Sequence, residues 1–173
     1  MKIFCTILLA ICLFSSPSFA ESPRRGTSLK HYLTTSDFYP DRDFIVSSFS
    51  EPVENALAIF KTSQDLKVKV RILNVLVLFP KHKKTNAFLR HLLKNNQRAN
   101  LLPSVIIAIG EVEGEASVSK ISPFLKSEDD DVRMAAIIAL GRYGGQEGGD
   151  LLAEYKELEH NPKHLVRIRV YLN

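Results

Sequence analysis

No tryptophan occurs anywhere in the chain, and its two cysteines, Cys5 and Cys12, both lie close to the start. Their position matters more than their number. The opening stretch MKIFCTILLAICLFSSPSFA carries a basic residue at Lys2, an apolar run from Ile3 to Phe14, and small residues at Ser18 and Ala20. That order predicts a secretory signal over residues 1–20, cut after Ala20, and a periplasmic or secreted protein of bacterial type. The apolar run is shorter than the roughly 18 residues a membrane helix wants. Ile11, before Cys12, is too bulky for a lipid-attachment motif. With the signal removed both cysteines go too, which excludes a disulfide, a zinc–thiolate site and a thiol nucleophile from residues 21–173. Packing alone must then hold what suits a single domain.

Charge of one sign is also scarce. There are 23 Lys and Arg against 19 Asp and Glu, a net +4. This mild excess argues against a dedicated nucleic-acid binder. No phosphate loop, serine-centred elbow or dinucleotide fingerprint is present. The five histidines are His31, His82, His91, His160 and His164. None is followed by Glu, so repeated His-Glu pairs for a di-iron centre are lacking. His160 and His164 have the spacing of a metal pair, but Pro162 between them starts a new helix, and they read as exposed turn residues. The acidic run Glu128 to Asp131 lacks the alternation and central glycine of a calcium loop. No catalytic residue, cofactor or metal is expected.

What the chain does have is a repeat. In DDDVRMAAIIALGRYGG (129–145), Val132, Ala135, Ala136, Ala139 and Leu140 make the stripe of an amphipathic helix. The aspartates suit its N-terminus, and Gly141, Gly144 and Gly145 suit its end. The alanines let another helix approach closely. A fixed shift back along the chain lays Ile106 to Gly110 under Ile137 to Gly141. The same shift again reaches KVRILNVLVLFPKHK, which keeps the stripe through Val70, Leu73, Val77 and Leu78. A shorter helical pattern follows each: KTNAFLRHLLKNN, EASVSKISPFLKS and GGDLLAEYKELEHN. Each unit is helix, turn, helix. A weaker unit, DRDFIVSSFS and EPVENALAIFKTS, precedes them, with Pro52 in a first helical turn. Asn161-Pro162 starts a last segment whose VRIRVY alternation suits a strand as well as a helix.

Asp131-Val132-Arg133, Ala135-Ala136 and Ala139-Leu140-Gly141, with Gly144 shortly after, resemble a HEAT repeat, more narrowly the type named after bilin lyases. The resemblance covers residues 60 to 173, with 38 to 60 a looser extension. It implies an all-α, α-α superhelix of about four stacked helix pairs over 38–173. It also implies that Asp131, Arg133, Gly110 and Gly141 are structural repeat residues, with Asp131 and Arg133 tying the turn between units. Second helices would line a concave face that holds a partner. Residues 21–37, with Pro, Gly and Ser, read as a flexible arm or partial cap.

On the second helices the inward residues are expected to be Phe88, Leu89, Leu92 and Leu93; then Ile121 and Leu125; then Leu152, Tyr155 and Leu158. The outward cations Arg90, Lys94, Lys120 and Lys156 would form a shallow basic row for an acidic protein partner or an anionic envelope surface. No basic stripe suited to nucleic acid persists, because Glu111, Glu113 and Glu115 occupy the turn equivalent to KHKK (81–84). A non-catalytic binding scaffold is the expected function. The alternative is an enzyme or enzyme accessory using the solenoid as a substrate platform.

Overall fold

The computed structural model describes residues 28–35, 41–95 and 100–173. The expected signal over 1–20 lies outside them, as do 21–27 and 36–37 of the arm. The α-helices are α1 Leu29–Thr35, α2 Arg42–Ser48, α3 Pro52–Thr62, α4 Leu66–Leu76, α5 Lys83–Asn95, α6 Leu102–Glu113, α7 Val118–Ile121, α8 Asp130–Tyr143, α9 Gly145–Tyr155 and α10 Pro162–Leu172. Two 3-10 segments, Gly114–Ser117 and Ser122–Lys126, flank α7. Among the described residues there is no strand, and VRIRVY lies inside α10. Asn161 caps α10 through the Lys163 amide, Pro162 opens it, and His164 and Ile168 form its buried stripe.

Two layers follow. In the first, α4, α6, α8 and α10 touch in succession; α3, α5, α7 and α9 lean on them as a second layer. This is an all-α solenoid of stacked helix pairs. Val105, Ile106, Ala108, Ile109 and Gly110 of α6 are buried, as are Val132, Ala135, Ala136, Ile137, Ala139 and Leu140 of α8. A methyl group added to Gly110 would stand 3.0 Å from both the Ala139 Cβ and the Tyr143 ring, and one on Gly141 would run into the Tyr171 ring. Both glycines therefore serve close approach. The stop expected at Gly141 falls further on, because α8 continues to Tyr143. Gly114 and Gly145, each at φ +57°, make the left-handed turns.

Three further expectations change. Of the segment expected as a flexible arm or partial cap, Leu29–Thr35 form α1, which packs on α3 and α4 as a cap with Leu29, Tyr32 and Leu33 buried. Tyr32 stacks at 5.4 Å on Phe44 and 5.7 Å on Phe49. A two-turn stripe is too short to stand out in a sequence. The middle second helix is broken, because Pro123 has no amide to continue an α-helix and the chain tightens into 3-10 form. Leu158, expected inward, is 71% exposed. Since α9 ends at Tyr155, Leu158 sits in a turn and leaves the helical register. Leu89, Ile121, Leu125 and Leu152 are buried, and Phe88, Leu92, Leu93 and Tyr155 pack half-buried against the core.

The turns that open α4, α8 and α10 share one hydrogen-bond plan, while α6, preceded by Leu101, has no side-chain cap. Ser63 Oγ accepts the Asp65 amide at 3.2 Å, and Asp65 Oδ1 accepts the Lys67 amide at 2.8 Å. Ser127 Oγ accepts the Asp129 amide at 3.2 Å, and Asp129 Oδ1 accepts the Asp131 amide at 2.8 Å. Glu159 Oε1 accepts the Asn161 amide at 2.8 Å, and Asn161 Oδ1 accepts the Lys163 amide at 3.0 Å. The interval between the caps Asp129 and Asn161 is slightly longer than the shift that superposes α6 on α8. Among the described residues no helix is long and apolar enough to cross a membrane.

Candidate functional site

The turn between α9 and α10 gathers side chains from three helices around one carboxylate. Glu159, 7% exposed, uses Oε1 for the amides of His160 at 2.9 Å and Asn161 at 2.8 Å. Its Oε2 accepts from the Tyr155 hydroxyl at 2.6 Å, His164 Nδ1 at 2.8 Å and Arg133 Nε at 3.4 Å. Burial pushes the Glu159 carboxyl up. The bonds from Tyr155, the Asn161 amide, His164 and the His160 amide outweigh it and hold the group at about 2. The carboxylate is ionised, so His164 presents a protonated Nδ1 to it. Burial first, and the bond to Glu159 second, raise the Tyr155 hydroxyl well above its ordinary value.

Arg133 joins this turn to the one before it. Its Nη1 donates to the carbonyls of Ser127 at 2.8 Å and Glu128 at 3.1 Å, and its Nη2 pairs with Asp130. Asp130 in turn accepts from Asn161 Nδ2 at 3.2 Å. Asp131, expected to share this tying role, does not: its carboxylate is exposed and has no hydrogen bond or ion pair among the described residues. Asp129 caps the helix and Asp130, its first residue, reaches the next unit, whereas the side chain of Asp131 is exposed. His164, expected as an exposed turn residue, is only 2% exposed; it takes the inward position that Val132 holds in the preceding unit. His160 is exposed. Among the described residues no group of three or more metal-ligating side chains is placed to hold an ion.

Beside the cluster runs an open groove of about 920 Å³, between the Ser122–Lys126 segment and the end of α9. Pro123, Leu125, Leu151, Tyr155 and Leu158 give it apolar lining, and the Arg133–Glu159 pair forms a wall. With five donors on its two oxygens, Glu159 is a poor base and a fixed strut. The geometry offers an apolar recess with one wall fixed by the Glu159 cluster and a large aliphatic side chain on its rim. No local pattern announces it, since its residues come from α7's flank, α8, α9 and the turn.

The four outward cations do not form a continuous basic row. Arg90 and Lys120 converge on Glu113, with Nε 2.5 Å from Oε1 and Nζ 2.9 Å from Oε2. Lys120 also donates to the Ala116 carbonyl at 2.7 Å. Burial raises the Glu113 carboxyl, but the hydrogen bonds from Arg90 and Lys120 and their charges bring it below its ordinary value. Lys94 is exposed at the end of α5, and Lys156 is half-buried at the end of α9. The α9 surface around Lys156 carries exposed Glu147, Asp150, Glu154 and Glu157. Within KHKK, Lys84 and His82 lie 2.9 Å and 3.6 Å from Glu54. Glu113 escaped the sequence reading because its partners lie on the preceding helix, α5, and in the second half of its own unit.

The family model described as HEAT repeats matches residues 99–171, from just before α6 to near the end of α10. The groove and the Glu159 cluster both lie in that stretch. No curated protein and no solved structure matches the chain at a significant level.

Proposed function

We propose that this chain is a non-catalytic scaffold that seats a protein partner in the groove rimmed by Leu158, in the periplasm or outside the cell. HEAT repeats commonly serve as protein-interaction scaffolds, and a stack of them presents its second helices as an extended surface. One observation carries the assignment to this groove: Leu158 stands 71% exposed at the mouth of an apolar recess. Covering a leucine is worth about 1.5–3 kcal/mol, which a partner recovers on docking. The Arg133–Glu159–Tyr155 wall is fixed beforehand, so little ordering cost falls on that wall of the recess.

A photo-reactive amino acid at position 158, compared with the same group at exposed Lys61, tests the site. The expected result is one dominant adduct from position 158 that disappears when Leu151→Asp places a charge in the recess. Equal adducts from both positions would remove the groove from consideration. Export has its own readout: the mature protein should begin at Glu21, and an intact Met1 on the isolated protein would overturn a cleaved signal.

A further inference from the structure

The second layer carries opposite charges at its two ends. On α5, the exposed face presents Lys83, Ala87, Arg90 and Lys94, at steps of four, three and four, and the helix contains no acidic residue. On α9 the exposed face presents Glu147, Asp150 and Glu154, at steps of three and four, and exposed Glu157 lies in the turn after it. Lys83 and Lys94 have no ion pair among the described residues, and neither do these four acids. Arg90, though paired with Glu113, keeps 58% of its side chain in solvent. Between the two ridges, the middle segment exposes the uncharged Ala116, Ser119 and Pro123, with exposed Lys126 at its far end. Its Lys120 is occupied by Glu113, and Glu115 lies to the α9 side, its carboxylate against Gly145.

We propose that this layer is an interface through which two copies of the chain pair, about a two-fold axis running along the second helices over α7. That operation lays the basic ridge of α5 on the acidic ridge of the partner copy's α9, and the acidic ridge on the partner's α5. An interface with this symmetry must be self-complementary. A surface of one sign would repel its own copy, whereas a surface with a basic end and an acidic end attracts it. Residues on the axis meet themselves, so charge is least tolerable there, and Ala116, Ser119 and Pro123 are uncharged. Pairs of this kind are solvent-rimmed, so association is weak, steered by charge and sensitive to salt. The inference goes beyond the groove reading and does not require it; Pro123 and Glu154 belong to both surfaces, so pairing and partner binding compete.

Sedimentation velocity on the purified chain tests it. At low ionic strength the protein should show a concentration-dependent dimer that dissociates in high salt. Lys83→Glu with Lys94→Glu, and separately Asp150→Lys with Glu154→Lys, should each weaken pairing by at least about tenfold, because like ridges then face each other. Mixing the two variants in equal amounts should restore a dimer, since each reversed ridge then meets its opposite. Circular dichroism and melting establish that the variants are folded; if the α9 variant is not, Glu147→Lys with Glu157→Lys makes the same test. A wild-type chain monomeric at low salt overturns the proposal. So does a dimer indifferent to both reversals, or a mixture of folded variants that stays monomeric. A monomeric chain that still gives the position-158 adduct overturns the pairing and leaves the groove reading standing.

Discussion

Ahead of α8, the Ser127 hydroxyl accepts the Asp129 amide. Ahead of α10, one unit on, Glu159 accepts the Asn161 amide in the same place and adds the His160 amide, Tyr155, His164 and Arg133. The backbone plan is common to both turns; the difference is one side chain. A hydroxyl offers one oxygen, while a carboxylate offers two oxygens with about four acceptor positions and a charge. Substituting Glu for Ser turns a cap into a junction binding α8, α9 and α10 together. The comparison separates what these two units share, a capped turn, from what one of them adds to it.

The sharpest way to break the comparison is Glu159→Ala. It strands Arg133, the His164 Nδ1–H, the Tyr155 hydroxyl and two amides, and should cost about 3–5 kcal/mol in urea denaturation. A loss under about 1 kcal/mol would put the two turns on the same footing. Acid should undo the junction without mutation. The Glu159 carboxyl is lowered from 4.5 to about 2 in the fold, so its contribution is fully present above the unfolded value and is lost as pH falls from about 4.5 through 2. At neutral pH it is worth about 3 kcal/mol. The stability gap between wild type and Glu159→Gln should therefore close across that window; a gap flat with pH would mean the carboxylate is not held this way.

Glu159→Ser makes the later turn a copy of the earlier one. It should recover about 1 kcal/mol relative to Glu159→Ala by restoring the amide cap, and equal melting curves for the two would deny the cap its role. Asp129→Ala and Asn161→Ala should each cost about 1 kcal/mol, and a large inequality would show that the shared plan is not equally weighted. Smallest of all, Asp131→Asn should stay within about 0.5 kcal/mol, because that carboxylate is exposed and makes no hydrogen bond or ion pair among the described residues.

The layered helices were legible because their signals are local. Apolar spacing, Gly and Ala at close approaches, and Pro52 and Pro162 at helix starts all act within a few residues. The cap residues Asp129 and Asn161 are likewise short-range. Leu158 was misplaced by extending the α9 spacing past Tyr155, where the helix has ended. The break at Pro123 was written in the chain but hidden by apolar residues on either side of it. Glu159, His164 and Glu113 were missed for a different reason: their surroundings are assembled from separate elements of the stack, so no single window contains both the group and its partners.

The broken second helix gives the stack an uneven mechanics. In the first layer α6 and α8 are locked at Gly110 with no slack, while in the second the chain passes Pro123 through 3-10 turns with poorer hydrogen bonds. One layer behaves as a stiff beam and the other contains a joint. It follows that the solenoid has a soft bending direction, curling or opening on the α5–α9 side while the α6–α8 spine keeps its length. A curved ligand surface would be fitted by flexing at residues 114–126, and amide exchange there should run ahead of that in α5 and α9.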